Sequence, residues 1–184
     1  MRVVLLAVTM LLTGCATTSA LSSKRVAVFI DEKREAEPLA TAPSAEAAHH
    51  FTSAIVGALS SAGWEVVELT PLGVADPTGA AAAKAAREKG AAWAVTGNAR
   101  FKSMAVEGQG ILPVGSVFPV LGEYDVRLIE VENVAQLATS TGKLNPSSKK
   151  LPVISYDRTA TELVETVREE IVAPIRDALA ATKK

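Results

Sequence analysis

Side chains that could do chemistry are few in this chain of 184 residues, and their spacing narrows what it can do. There is one Cys, at position 15, and there are two His, adjacent at 49 and 50. A single thiol excludes an internal disulfide and any Cys-rich zinc module. Neighbours on a helix diverge by about 100°, so His49 and His50 are poorly placed to share a metal ion. They read as two imidazoles near a helix surface, with pH sensing beside a membrane as the other reading. Gly108-x-Gly110 with Gly115 lacks the strand–loop–helix context and the glycine spacing that cradle a dinucleotide. Thr141-Gly142-Lys143 fails as the end of a phosphate-binding loop, because Leu137 stands at its first glycine position and Leu144 where a hydroxyl must hold magnesium. Both read as turns. No two glycines stand four apart, so there is no Gly-x-Ser-x-Gly nucleophile elbow. Glu123, Asp125, Glu130 and Glu132 form a carboxylate group, but strand alternation puts Glu123 and Asp125 on one face, the solvated side of a hairpin. The expectation is a protein that is not an enzyme, with no catalytic residues, no metal and no cofactor.

Bulk composition points the same way. Lys and Arg total 19 against 20 Asp and Glu, a near-neutral balance with no electrostatic footprint for nucleic acid. Alanine supplies 32 residues and aromatics only 4%, so large apolar side chains are scarcer than the 48% hydrophobic fraction suggests.

The strongest signal is amino-terminal. Met1-Arg2 is a short basic start, and Val3 to Gly14 carries no charge. Such a segment reads as a secretory signal over residues 1–14, too short to span a bilayer as a stable helix. Its end, Leu12-Thr13-Gly14-Cys15, resembles the bacterial lipoprotein signal box. That resemblance implies cleavage before Cys15, a diacylglycerol thioether on its sulfur and acylation (palmitate or similar) of the new amino terminus. Two or three acyl chains, at ~0.8 kcal/mol per buried methylene, make a durable membrane anchor. Ala16-Thr17 follows without an Asp, which by resemblance to lipoprotein sorting implies the outer membrane, facing the periplasm. Residues 15–23 form the lipidated Cys and a short Ser/Thr-rich tether, reaching less than about 30 Å at ~3.3–3.6 Å per residue.

Residues 24–182 read as one domain, about the size that can bury its own core. Arg25–Ile30 is an apolar strand, followed by a charged loop from Asp31 to Pro43. Ser44 caps a helix to Ala62, with Phe51, Ile55 and Leu59 on one face and Gly63 ending it. Trp64–Leu69 is a second strand. Asp76-Pro77 starts an Ala-rich helix that stops at Gly90, packed on the sheet or, alternatively, serving as an interaction helix. Ala91–Met104 is the third strand, and a long connection runs from Ala105 to Gly122. Glu123–Glu132 and Val134–Leu144 form a hairpin turned at Asn133, with a bulge or a change of covered face expected near Ile129, where the alternation slips. After a polar loop, Asn145–Asp157, the capping-box pattern Thr159-Ala-Thr-Glu162 opens a last helix. Leu163, Val167, Ile171, Ile175 and Leu179 form its apolar stripe, and Pro174 should kink or break it. The order β-α-β-α-β-β-β-α predicts an α/β domain whose first three strands are parallel and whose hairpin extends a mixed sheet antiparallel.

This order resembles a family of periplasmic domains that includes the amino-terminal domain of the Tol translocation protein, the curli-secretion lipoprotein and the lipoprotein activators of penicillin-binding proteins. The segments that carry it are Ala58–Val67, Gly90–Ala99 and Tyr124–Val131 with the Ser140–Lys143 tail, within residues 24–181. The resemblance implies the fold and an envelope role, and it transfers no catalytic residue. Two departures stand out: the tether is far shorter than in the synthase activators, and Ile111–Leu121, with Pro113, Gly115 and Pro119, does not alternate as a barrel strand must.

Gly108 to Gly122 holds seven large apolar residues and no charge. A long apolar connection either completes the core or forms an exposed patch for a partner or the membrane interface. Ile111, Leu112, Val117 and Phe118 are therefore the candidate partner-binding residues. The function expected is a lipid-anchored, non-enzymatic module that docks onto another envelope protein or onto itself. A small-ligand or peptidoglycan-binding lipoprotein is the alternative. A Cys15→Ala variant should move from the membrane fraction to the soluble fraction on cell fractionation; retention in membranes would remove the anchor.

Overall fold

A computed structural model describes residues 20–71, 79–105, 119–144 and 155–182. Its elements are β1 (Ser22–Ala36), α1 (Ala45–Ser61), β2 (Glu65–Glu68), α2 (Ala80–Glu88), β3 (Ala91–Ser103), β4 (Val120–Glu130), β5 (Ala135–Leu144) and α3 (Tyr156–Ala181). The five strands form one sheet in the order β2-β1-β3-β4-β5. β1 pairs parallel with β2 and β3, while β3–β4 and β4–β5 pair antiparallel. The α/β class, the element order and the strand directions agree with the sequence reading.

Alternation along the strands splits the core between the two faces of the sheet. Val26, Val28 and Ile30 of β1, Val95 and Phe101 of β3, and Tyr124, Val126 and Leu128 of β4 face α1 and α3. There they meet Phe51, Ile55 and Leu59 of α1 and Leu163, Ile171, Ile175 and Leu179 of α3, all buried. Among the described residues, the opposite face is covered only in part. Ala27, Phe29, Ala94, Ile129 and Val131 pack against Ala82, Ala83 and Ala86 of α2, which settles the Ala-rich helix as a sheet-packing element. Glu123 and Asp125 lie on this second face, beyond α2, as alternation predicts. The hairpin register shifts between Leu128 and Ile129, where the bulge was expected.

Several boundaries differ from the sequence reading. Asp31–Ala36 is not loop: β1 continues through it, paired with Asn98–Ser103 of β3. β1 also begins at Ser22, so the last two residues of the expected tether are already in the sheet. Val120–Gly122 belongs to β4, which shortens the connection assigned to 105–122, and β4 stops at Glu130 with residues 131–134 as the turn. Thr141–Lys143 is β5 strand, not a turn. Gly142 lies there because Tyr124 sits on it: a Cβ would come within 2.6 Å of the phenol oxygen. The Asp76-Pro77 start and the Gly108–Gly115 motif lie outside the described residues.

α3 starts earlier than the capping-box pattern indicates. Ser155 is its N-cap, accepting from the Arg158 N–H, while the Thr159 hydroxyl is buried and bonds back to the Ser155 carbonyl. The helix also runs on through Pro174. Proline lacks the N–H that would donate to the carbonyl four residues earlier, here Glu170. That carbonyl instead accepts from the Ser140 hydroxyl of β5 at 3.0 Å. Ser140 is buried. A serine on the sheet thus satisfies the group that the proline orphans.

Ser140→Ala should therefore cost about 1–3 kcal/mol, the range for a buried acceptor left unpaired. In a Pro174→Ala background the restored N–H reaches Glu170, and the cost of losing Ser140 should shrink. A denaturant double-mutant cycle measures this coupling and cancels Ser140 contacts common to both backgrounds; equal costs in the two backgrounds would exclude it.

Candidate functional site

β2 is much shorter than the strand it pairs with. It matches β1 only from Arg25 to Val28, whereas β1 continues for eight more residues. The stop has a chemical cause. Leu69 N–H donates to the Val28 carbonyl at 2.9 Å, and in a parallel ladder the next donor to β1 would be residue 71. Residue 71 is proline and has no N–H. Residues 33–36 of β1 are accordingly exposed although β3 pairs their other edge.

Beside this overhang lies a cleft of about 330 Å³, lined by Ile30, Glu32, His49, Thr52 and Glu68 to Pro71. Alternation from Val28 and Ile30 points Glu32 to the α1 side of the sheet, and α1 supplies His49 and Thr52 one turn apart. Glu32 is nearly enclosed, its side chain 14% exposed. Its Oε1 accepts the Thr52 backbone N–H at 3.2 Å and the Thr52 hydroxyl. His49 sits between two carboxylates, Nδ1 3.3 Å from Glu32 Oε2 and Nε2 3.2 Å from Glu68 Oε1. A neutral imidazole has one N–H and can donate to only one of them. The cleft therefore presents two carboxylates that a single cationic group would satisfy together.

The two histidines diverge as the sequence reading expects: His50 Nε2 turns to Glu165 on α3 at 2.7 Å. Among the described residues no group of three or more His, Cys, Asp or Glu side chains could hold a metal ion. The sequence reading missed Glu32 and Glu68, which lie 17 and 19 residues from His49 and have no local pattern linking them to it. Cys15, Ile111, Leu112, Val117 and Phe118 lie outside the described residues.

The described flanks of that apolar segment are well placed. Met104 N–H donates to the Pro119 carbonyl at 2.9 Å, and Ala105 N–H donates to a Glu37 carboxylate oxygen at 3.3 Å. Glu37 also pairs with Lys102 at 3.2 Å. The Ala105 N–H and the Lys102 ammonium hold the Glu37 carboxyl below its usual range. Next to it, the Glu37 carbonyl accepts from Ala40 N–H, closing a turn with Leu39 at φ 73°. Leu39 is fully exposed. A branched residue held in the left-handed region costs roughly 1–2 kcal/mol.

No family model matches the chain, and no curated protein matches it. Among solved structures it is similar to the PelC dodecamer from Paraburkholderia phytofirmans, at 19% identity over 83% of this chain and 92% of that one, with a TM-score of 0.45. It is similar also to a Xanthomonas campestris protein, at 12% identity over 91% and 92% of the two chains, with a TM-score of 0.49. A third is lipoprotein GNA1162 from Neisseria meningitidis, at 12% identity over 79% and 95%, with a TM-score of 0.38.

A lowered folded-state pKa at Glu37 adds stability above the unfolded value, and that stability is lost as pH falls through the folded value. Glu37→Gln should therefore lower the melting temperature at about pH 7 and make no difference at about pH 2. Thermal melts of both proteins at the two pH values check this; an equal gap at both would exclude it.

Proposed function

We propose that the chain is an outer-membrane lipoprotein, anchored through Cys15 and facing the periplasm, whose domain is a non-enzymatic docking module for another envelope protein or a second copy. One observation carries the docking part. The chain enters the sheet at Ser22, while Leu39 and the flanks Ala105 and Pro119 lie at the other end of β1. Fifteen strand residues at ~3.3 Å each separate these ends by roughly 45–50 Å. A short lipidated tether at Ser22 would hold one end near the bilayer and present the other to the periplasm.

The presented end carries the features that a contact surface needs. Leu39 stands out fully exposed on a turn that costs backbone strain, and non-glycine residues in this region favour functional sites. In sequence Ile111, Leu112, Val117 and Phe118 stand between the flanks Ala105 and Pro119, and in this reading they supply the larger apolar groups of the contact. The position of those flanks, at the far end of β1 from Ser22, favours a protein partner over the anchoring membrane. No helix among the described residues is long and apolar enough to cross a membrane; the anchor of this reading is the lipid on Cys15.

In-cell photo-crosslinking from position 118 of the lipidated protein, read by mass spectrometry, tests the reading. The expected product is one specific envelope protein, or a dimer, that disappears when Val117 and Phe118 are both replaced by Asp while the folded domain persists. Leu39→Asn should weaken the same crosslink severalfold with stability within about 1 kcal/mol of the parent, since Asn tolerates the left-handed conformation. Only intramolecular products would place the apolar segment in the core. Retention by purified peptidoglycan sacculi without other proteins would favour the glycan-binding alternative.

A further inference from the structure

The overhang of β1 is an open sheet edge with polarity and a neighbouring cleft, and together these specify an occupant. Residues of one parity in a strand direct both backbone groups to the same side. Val28 accepts from Leu69 on the β2 side, whereas Glu37 N–H donates to the Ser103 carbonyl on the β3 side. From Val28 onward, past the register shift between Ser22 and Val26, even-numbered residues of β1 thus face the β2 side. Glu32, Arg34 and Ala36 therefore aim their N–H and C=O groups at an edge where no described strand pairs with them. Residues 72–78 lie outside the described residues; Gly79 lies against Ile129, whose partners belong to the opposite face of the sheet.

We propose that this edge binds an extended peptide by strand addition, and that the peptide places a Lys or Arg side chain in the cleft between Glu32 and Glu68. The backbone supplies the affinity. A strand laid along Ile30–Ala36 continues the line that β2 abandons at Pro71, pairing groups that no described strand pairs. Specificity comes from charge. A peptide side chain opposite Glu32 on the α1 side enters the cleft, where two carboxylates flank a histidine that, when neutral, can donate to one of them. An ammonium or guanidinium donates to both and displaces His49 from one. Arg34, next on the same side of β1, already donates to the Pro43 carbonyl at 3.2 Å and sets a cationic limit one position along. The preferred peptide is thus basic at one position and not basic two residues away.

The proposal deepens the docking reading, but it uses a surface distinct from the Leu39 end, so the two fail separately. The test is selection of randomised heptapeptides on the full-length lipidated protein in detergent micelles, followed by titration of recovered peptides. Enrichment of Lys or Arg at a single position is expected, with backbone amide shifts on binding concentrated at residues 30–36. N-methylation of alternate peptide nitrogens on the pairing edge should abolish binding. Glu68→Gln, at a side chain 43% exposed, should weaken the basic peptides at least fivefold and leave their Gln-substituted forms unchanged. No basic enrichment, shifts elsewhere on the domain, or binding indifferent to N-methylation would each overturn the proposal. If the edge fails while position 118 still crosslinks a partner, the docking reading stands without it.

Discussion

The domain is organised by the demand that β1 have its backbone groups partnered. β1 enters the sheet first and lies between β2 and β3, and nearly all its backbone donors and acceptors are out of water's reach from Val26 to Ile30. Unpaired buried peptide groups cost more than a typical side-chain contact contributes, so both neighbours are obligatory there. Past Ile30 the demand lapses on one side because residues 33–36 are exposed. A four-residue β2 is therefore sufficient. One strand supplies both the rigid centre of the molecule and an edge that no described strand pairs.

A second constraint is the scarcity of large side chains. With alanine the commonest residue, volume must be filled by bringing backbones together. α2 shows this on one face, where three buried alanines press the helix onto β1 and β3. The sheet shows it at Gly97, where a Cβ would lie 2.1 Å from the Asp125 carbonyl oxygen. The few aromatics are concentrated where two layers must be bridged: Phe51 of α1 meets Tyr124 of β4 with ring centroids 5.7 Å apart. Burial there raises the Tyr124 hydroxyl pKa, the nearby Ser140 hydroxyl lowers it, and the Glu170 charge adds to the rise. Ser140 therefore joins two repairs in one place, the capped carbonyl ahead of Pro174 and the polar tip of a core aromatic.

Periodicity made most of this legible in the sequence, and its failures have physical causes. α1, β3 and the hairpin each have one face against a core, so apolar residues recur at the spacing of the element. Asp31–Ala36 has no such face. Its conformation is fixed by pairing with Asn98–Ser103, a partner about 67 residues away, and charged strand read locally is indistinguishable from charged loop. The start of α3 was misplaced because Thr159 and Glu162 fit a capping box while the real cap, Ser155, is followed three residues later by Arg158. The Glu32–His49–Glu68 cleft was illegible for a further reason. Its carboxylates come from two strands and its histidine from the helix between them, so only the right-handed crossover brings them together.

The pairing of β1 with β3 sets how the two surfaces relate. β1 runs away from Ser22, so the turn at Leu39 and the returns at Ala105 and Pro119 must lie at its far end in any packing that keeps β1 and β3 parallel and β3 and β4 antiparallel. The Glu32 cleft lies partway along, at the level where β2 stops, on the sheet's side rather than its end. A partner seated on the far end would not cover the cleft. A peptide seated on the β1 overhang would, however, lie along residues that lead directly into the Glu37–Ala40 turn. Pairing Arg34 and Ala36 would fix the last residues before Glu37, whose carboxylate holds Ala105. If the edge is occupied as proposed, the far end would feel it through two residues of one strand, by the backbone alone.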